Sequence, residues 1–134
     1  MPFPRAQVPD GGVRPGYATG AAIAKALVVK FSAAGDPPRV VITGANDDAV
    51  YGVTMVAIAQ DTIGDIQIAG RAIVTVGSGG VTAGDRLMPN SAGKVVTAAP
   101  AGGTNVSYIG QTEVTAVEND LIEIELQIQN TRQG

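Results

Sequence analysis

The segment DLIEIELQIQ (120–129) constrains the fold more than any other part of the chain: Ile122, Ile124, Leu126 and Ile128 alternate with Glu123, Glu125 and Gln127. A period of two puts the apolar set on one face of a strand and the acidic and amide set on the other. Such a strand needs a sheet with one buried face and one wet face. The rest of the chain follows suit. Its 17 Val and 11 Ile against 4 Leu favour pleated sheet over helix, because β-branched side chains lose rotamer freedom in a helix.

Further strand-like runs are ALVVKFSA (26–33), RVVITGA (39–45), AVYGVTMVAIA (49–59), DIQIAGRAIVTV (65–76) and VSYIGQTEV (106–114). Gly, Pro, Asn and Asp clusters close them: GDPP (35–38), NDD (46–48), GSGG (77–80) and APAGGTN (99–105). Gly52 marks a bulge or a close backbone approach. The pattern predicts an all-β domain, a small antiparallel β-barrel or sandwich of about seven or eight short strands. The helical competitor is TGAAIAKALVVKF (19–31), where Ala21, Ala22, Ala24 and Ala26 allow a short helical turn. No internal repeat is apparent.

The first twenty residues differ. They carry four of the eight prolines and four glycines, which argues against a helix or a central strand. The reading is an extended N-terminal arm over 1–20 and a β domain over 21–134. The bland alternative is a disordered tail. Phe3, Val8, Val13 and Tyr17 supply apolar anchors, and Arg5 and Arg14 make the segment locally basic on an acidic chain. These six residues are the expected partner-binding set. On that reading, deletion of 2–16 leaves the β domain folded and weakens partner binding.

Composition excludes much chemistry. The 134 residues contain no Cys and no His, so disulfides, thiolate catalysis, serine–histidine triads and the commonest metal ligand are ruled out. Trp is absent and aromatics are 4%, which leaves little material for stacking single-stranded nucleic acid. Net charge is −3, with the basic residues scattered singly, unlike a phosphate-backbone binder. Charged residues are only 16%, against about 25% in ordinary domains, which suits a surface packed against neighbours. No apolar run approaches the roughly 18 residues of a membrane helix, and the first twelve residues lack the hydrophobic segment of a secretory signal.

The motifs with chemical potential read as structure. GDRLMPNSAGKVV (84–96) ends a glycine-rich bend in Gly93-Lys94, but Val95 stands where a phosphate loop needs Ser or Thr, and Met88 where it needs Gly. A hairpin with Pro89–Gly93 as its turn fits instead. Asn46-Asp47-Asp48 lacks the alternate-position acids of a calcium loop. Asp61 and Asp65 fall in a polar break between strands. Glu123 and Glu125 are about 6.5–7 Å apart by strand rise, a spacing that overlaps an inverting glycosidase pair, yet no aromatic sugar platform accompanies them. The expectation is no catalytic, cofactor or metal site.

GRAIVTVGSGGVTAGDRLMPNSAGKVVTAAPAGGTNVSYIGQTEVTAVENDLIEIEL (70–126) resembles the C-terminal half of tailed-bacteriophage capsid decoration (head cement) proteins. The resembling features are the G.A.V.V strand, V.AGD.L....AGKV..A, IGQ and the closing DLIEIEL. ATGAAIAKALVVKFSA (18–33) resembles that family's opening. The resemblance implies a homotrimer on the outer surface of a virion, bound to the major capsid protein, with no enzymatic activity and neither nucleic-acid nor membrane partners. The long proline-rich start departs from the family's shortest members. A receptor- or glycan-binding β module of a phage fibre is the alternative, and three tyrosines and two phenylalanines are thin material for it.

Overall fold

The computed structural model describes residues 12–45, 49–98 and 105–133. Among the described residues, ten strands form two five-stranded sheets: β1 (Val13–Ala18), β2 (Val28–Ala33), β3 (Arg39–Ile42), β4 (Val50–Thr54) and β5 (Ile63–Gln67), then β6 (Gly70–Thr75), β7 (Arg86–Pro89), β8 (Val95–Thr97), β9 (Asn105–Gln111) and β10 (Leu121–Gln133). The first five close a barrel in the order β1-β3-β2-β4-β5. The last five make a curled open sheet in the order β6-β10-β9-β7-β8. The expected all-β fold is therefore present.

Four features differ from the sequence reading. The run 65–76 is two strands in two sheets, because the chain leaves β5 at Ile68 and re-enters at Gly70, whose φ of 86° only glycine adopts easily. The segment 19–27 holds no helix; Ile23 instead pairs with Ile58 in an isolated bridge. Residues 13–18, assigned to the arm, form strand β1 of the closed barrel. Its Val13–Tyr17 stretch pairs antiparallel with Gln67–Ile63 of β5, and Tyr17 and Ala18 pair parallel with Arg39 and Val40 of β3. Pro15 is tolerated because it sits exposed in a short wall strand, while Gly16 and Ala18 are buried where bulkier side chains would crowd Ile66 and Val40. The parallel β1–β3 seam is also a departure from an all-antiparallel sheet.

The two sheets are copies of one design. Ile23 N–H and C=O bond Ile58 C=O and N–H, and 58 residues on Val81 and Ala116 do the same. Asp61 N–H bonds Ala18 C=O, and Asn119 N–H bonds Val76 C=O. Ala26 N–H bonds Thr54 C=O, and Gly84 N–H bonds Thr112 C=O. Left-handed backbone falls at the matching turn positions Ala26, Asp61, Gly84 and Asn119. Gly52 and Gly110 match too: a Cβ on either would collide with a backbone oxygen of the next strand, that of Gln67 or of Glu125. The repeat escapes a reading of the sequence because it is kept in backbone hydrogen bonds, while the side chains differ at equivalent positions: Val28 in the first copy corresponds to Arg86 in the second, and Tyr51 to Ile109.

Burial follows the topology. One core, inside the barrel, holds Ala18, Ile23, Val29, Val40, Ile58 and Ile66. The other is built on the second sheet from residues such as Val74, Leu87, Ile109 and Ile124, and it takes in Val28, Val50 and Val53 of the barrel. Adjacent Val28 and Val29 are both fully buried, so β2 is covered on both faces and joins the two cores.

Along β10, Ile122, Ile124 and Leu126 are buried, and Glu123 and Glu125 are exposed, as the alternation requires. Ile124→Asp places an unpaired charge at a position with 0% exposure and is expected to unfold the chain, whereas Glu125→Gln leaves the melting midpoint within a few degrees. Gly52→Ala and Gly110→Ala are each expected to cost about 1–3 kcal/mol by overpacking, read from denaturant melts. A deletion of 2–16 removes most of β1 and is expected to open the barrel. A chain starting at Gly12 keeps every described contact and is expected to melt cooperatively near the parent, by circular dichroism.

Candidate interaction surface

Of the six residues expected to bind a partner, Phe3, Arg5 and Val8 lie outside the described residues. Val13, Arg14 and Tyr17 belong to the barrel wall, all half-buried. The Arg39 guanidinium lies 4.1 Å from the centre of the Tyr17 ring, and the Tyr51 hydroxyl donates to the Pro15 carbonyl at 2.9 Å. Burial pushes the Tyr51 phenol above its ordinary value, opposed by the nearby Arg14 charge. Tyr17 is thus engaged within the barrel, and its contact with Arg39 pins the parallel seam.

The glycine-rich bend is a hairpin. β7 and β8 pair through Met88 and Val96, and the Asn90 carboxamide oxygen accepts the N–H groups of Ala92 and Lys94 at 2.9 and 3.0 Å. Those donors, which a phosphate would need, are used within the turn. The Lys94 ammonium donates to the Asn119 Oδ1 at 2.7 Å. Asp61 Oδ1 accepts the Gly20 N–H, so this carboxylate staples a turn. Asn46, Asp47 and Asp48 lie outside the described residues. Among the described residues, no three acidic side chains gather as a metal site would require.

Charge is concentrated beside the outer face of β6 and β10. Arg71 Nη2 meets Glu113 at 3.0 Å and Glu123 at 3.3 Å. The hydrogen bond from Arg71 holds the Glu113 carboxyl below the usual carboxylate range. Glu123 is thus an ion-pair member on an exposed sheet face, and Glu125 stands across from Arg71 in the ladder. Asp85 is held low by the Thr97 hydroxyl, at 2.7 Å, and then by the Thr82 N–H, at 2.9 Å.

A shallow groove of about 230 Å³ runs between the two sheets. Its first wall carries Lys25, Thr54 and Met55, and its second Arg71, Ile73 and Leu121. Met55, Ile73 and Leu121 are among the large apolar side chains that stand exposed. The groove offers apolar contact edged by cations, with no base, nucleophile or oxyanion donor arranged for bond chemistry. The sequence hinted at it through the apolar members of two wet segments, but only the topology brings Met55 and Leu121 to one groove.

No protein-family model matches the sequence, and no curated protein matches it. Among solved structures, the chain is similar to the head fiber gp8.5 N base in bacteriophage phi29, with a TM-score of 0.65 and 16% identity over 86% of this chain and 92% of that one. At this identity the likeness is one of fold.

The Asp85 carboxylate stabilises the folded chain where it is ionised, above its unfolded value, and that contribution is lost as pH falls through the lowered folded value. Thr97→Val removes the larger of its two causes. The Asp85 pKa is then expected to rise toward the ordinary aspartate value of about 4, as read by carboxyl NMR titration.

Proposed function

We propose that the chain is a structural protein of a tailed-phage virion that docks on the outer surface of the head and stabilises the lattice of its major capsid protein. The observation that carries this reading is the fold shared with the phi29 head fiber base, which runs through both sheets and nearly the whole length of each chain. The resemblance of residues 70–126 to capsid decoration proteins supports it independently of the fold.

The surface agrees. Exposed apolar side chains and a cation-edged groove suit a protein that adds buried contact to a lattice. Stable docking needs an interface of about 1,600 Å². Many copies on one shell act together, so modest single-site affinity suffices. The protein carries no catalytic activity, and its partners are the major capsid protein and further copies of itself, as a homotrimer on the shell. The second reading, a fibre-borne module for a receptor or glycan, draws on the words head fiber in the neighbour's description. The cement reading is preferred because the described surface presents aliphatic side chains, while aromatic platforms for sugar are scarce.

The test is co-sedimentation of the purified protein with capsids assembled without it, from the phage that encodes it. Saturable occupancy and a rise in the capsid's melting midpoint are expected. Absence of binding to capsids, with binding to host cell-wall glycans, would establish the fibre reading instead.

A further inference from the structure

The edge of β6 that faces the barrel is left open at one residue. Thr75 N–H bonds the Ala26 carbonyl, away from β10, and Val76 N–H bonds the Asp120 carbonyl, toward it. Backbone groups along an antiparallel strand point to alternate sides, so Ile73 and Arg71 point the same way as Thr75, into the groove between the sheets. The Arg71 carbonyl bears this out, since it accepts the Nε2 of Gln67, a barrel residue, at 2.6 Å. Ala26 thus closes the edge at Thr75, and Gln67 closes it at the Arg71 carbonyl. Between them β6 pairs with no strand on this side, and the Ile73 N–H and C=O have no partner among the described residues.

The surroundings of this gap state what would fill it. An N–H and a C=O presented by one residue of an edge strand are satisfied together by one residue of a second, extended backbone, which exchanges both bonds with it. The side chain of that residue falls on the same face as Ile73. There Met55, Ile73 and Leu121 line the groove, each 46–52% exposed. The two closed ends leave no room for a long strand to run through, so the fitting shape is the tip of a loop. The rim is electrically lopsided. Arg71, on the wall of the second sheet, is held by Glu113 and Glu123. Lys25, on the barrel wall, is exposed and has no ion pair among the described residues. A carboxylate is therefore welcome on the barrel side and repelled on the other.

We propose that this groove receives the tip of a loop of the major capsid protein. One apolar residue at the tip exchanges both backbone hydrogen bonds with Ile73 and seats its side chain among Met55, Ile73 and Leu121, and a neighbouring carboxylate meets Lys25. This rests on the capsid reading above and names the contact through which docking occurs. An apolar anchor in a pocket, with polar groups at the rim that exclude water and fix its orientation, is the arrangement that carries most of the energy of a protein interface.

The experiment measures occupancy of capsids assembled without the protein, against protein concentration, for the parent, Met55→Ser, Leu121→Ser, Lys25→Glu and a control, Val117→Ser. Val117 is 67% exposed and lies outside the groove. A melting curve and sedimentation velocity accompany each protein. Met55→Ser and Leu121→Ser are expected to raise the half-saturating concentration about 5–30-fold, and Val117→Ser to leave it unchanged. Lys25→Glu is expected to raise it about 10-fold at low salt, by a margin that shrinks as salt rises. Amide hydrogen exchange in the 70–75 segment of the parent is expected to slow on the capsid, because the Ile73 N–H gains a partner. If a Ser variant melts early, Lys25→Glu and the exchange measurement decide. Unchanged exchange at 70–75 with binding intact overturns the inference, as does a Val117→Ser loss equal to that of the groove variants. Groove variants that alter self-association of the free protein while capsid occupancy stays the same overturn it in favour of a second copy as occupant. A parent that binds capsids alongside groove variants indistinguishable from it overturns this inference alone. A parent that does not bind overturns the capsid reading, and this inference with it.

Discussion

The two halves are joined at the carbonyl of Ala26, which accepts both the N–H and the hydroxyl of Thr75, each at 3.0 Å. In the barrel, the parallel β1–β3 pair closes the sheet. In the second sheet, the equivalent strands β6 and β8 meet only at the Val76–Val95 bridge. The segment Ala26–Val28 of the barrel fills the seam between them: Thr75 of β6 bonds Ala26, and Val28 N–H bonds the Gly93 carbonyl at the hairpin tip, at 2.7 Å. The second half is an open sheet because the first half occupies its closing seam. Ala26 holds this place in left-handed backbone, with φ 63°, a conformation that an alanine adopts at some cost. Thr54 offsets the cost. Its hydroxyl accepts the Leu27 N–H and donates to the Ala24 carbonyl, and its backbone bonds Ala26 and Leu27.

Consequences spread from that seam. Gly93 must be glycine in effect, since its φ is 74° and a Cβ there would press on the Val28 carbonyl and Ile42. Thr43 is fully buried with its hydroxyl on the Asn90 carbonyl, a second polar tie across the same joint. Buried polar groups are tolerable only when paired, and no buried side-chain polar atom among the described residues lacks a partner. The Gly93-Lys94 bend thus belongs to the joint between the halves, which is why its backbone donors and its carbonyls are already engaged.

Sequence legibility tracked the kind of force at work. The alternation in β10, the hairpin at 86–97 and the strands β2 to β4 were readable because side-chain burial wrote them. β1 was not, because Pro15 and Gly16 look like linker residues until the neighbouring Ile66 and Val40 explain why the space is small. The split of 65–76 hung on Gly70, one glycine among 18, whose conformation no pattern marks. The duplication was hidden for a related reason. Backbone hydrogen bonds carry it, and they tolerate Ile23 against Val81, or Asp61 against Asn119, at matched places. Of the expected binding set, Val13, Arg14 and Tyr17 lie in a wall strand of the barrel, a placement that the linker-like Pro15 and Gly16 between them hid.

Fusion of two similar units through a shared core fixes their relative placement without a linker. Two units on a flexible linker would lose linker freedom on meeting, at an effective concentration that falls with linker length. Here β5 passes into β6 through two residues, Ile68 and Ala69, and Val28, Val50 and Val53 pack into the second core. The second sheet lacks a closing strand pair of its own, and the Ala26–Val28 segment of the barrel completes it. A change at that segment therefore reaches both halves, because it removes the Thr75 and Gly93 bonds of the second sheet along with the Thr54 bonds of the barrel.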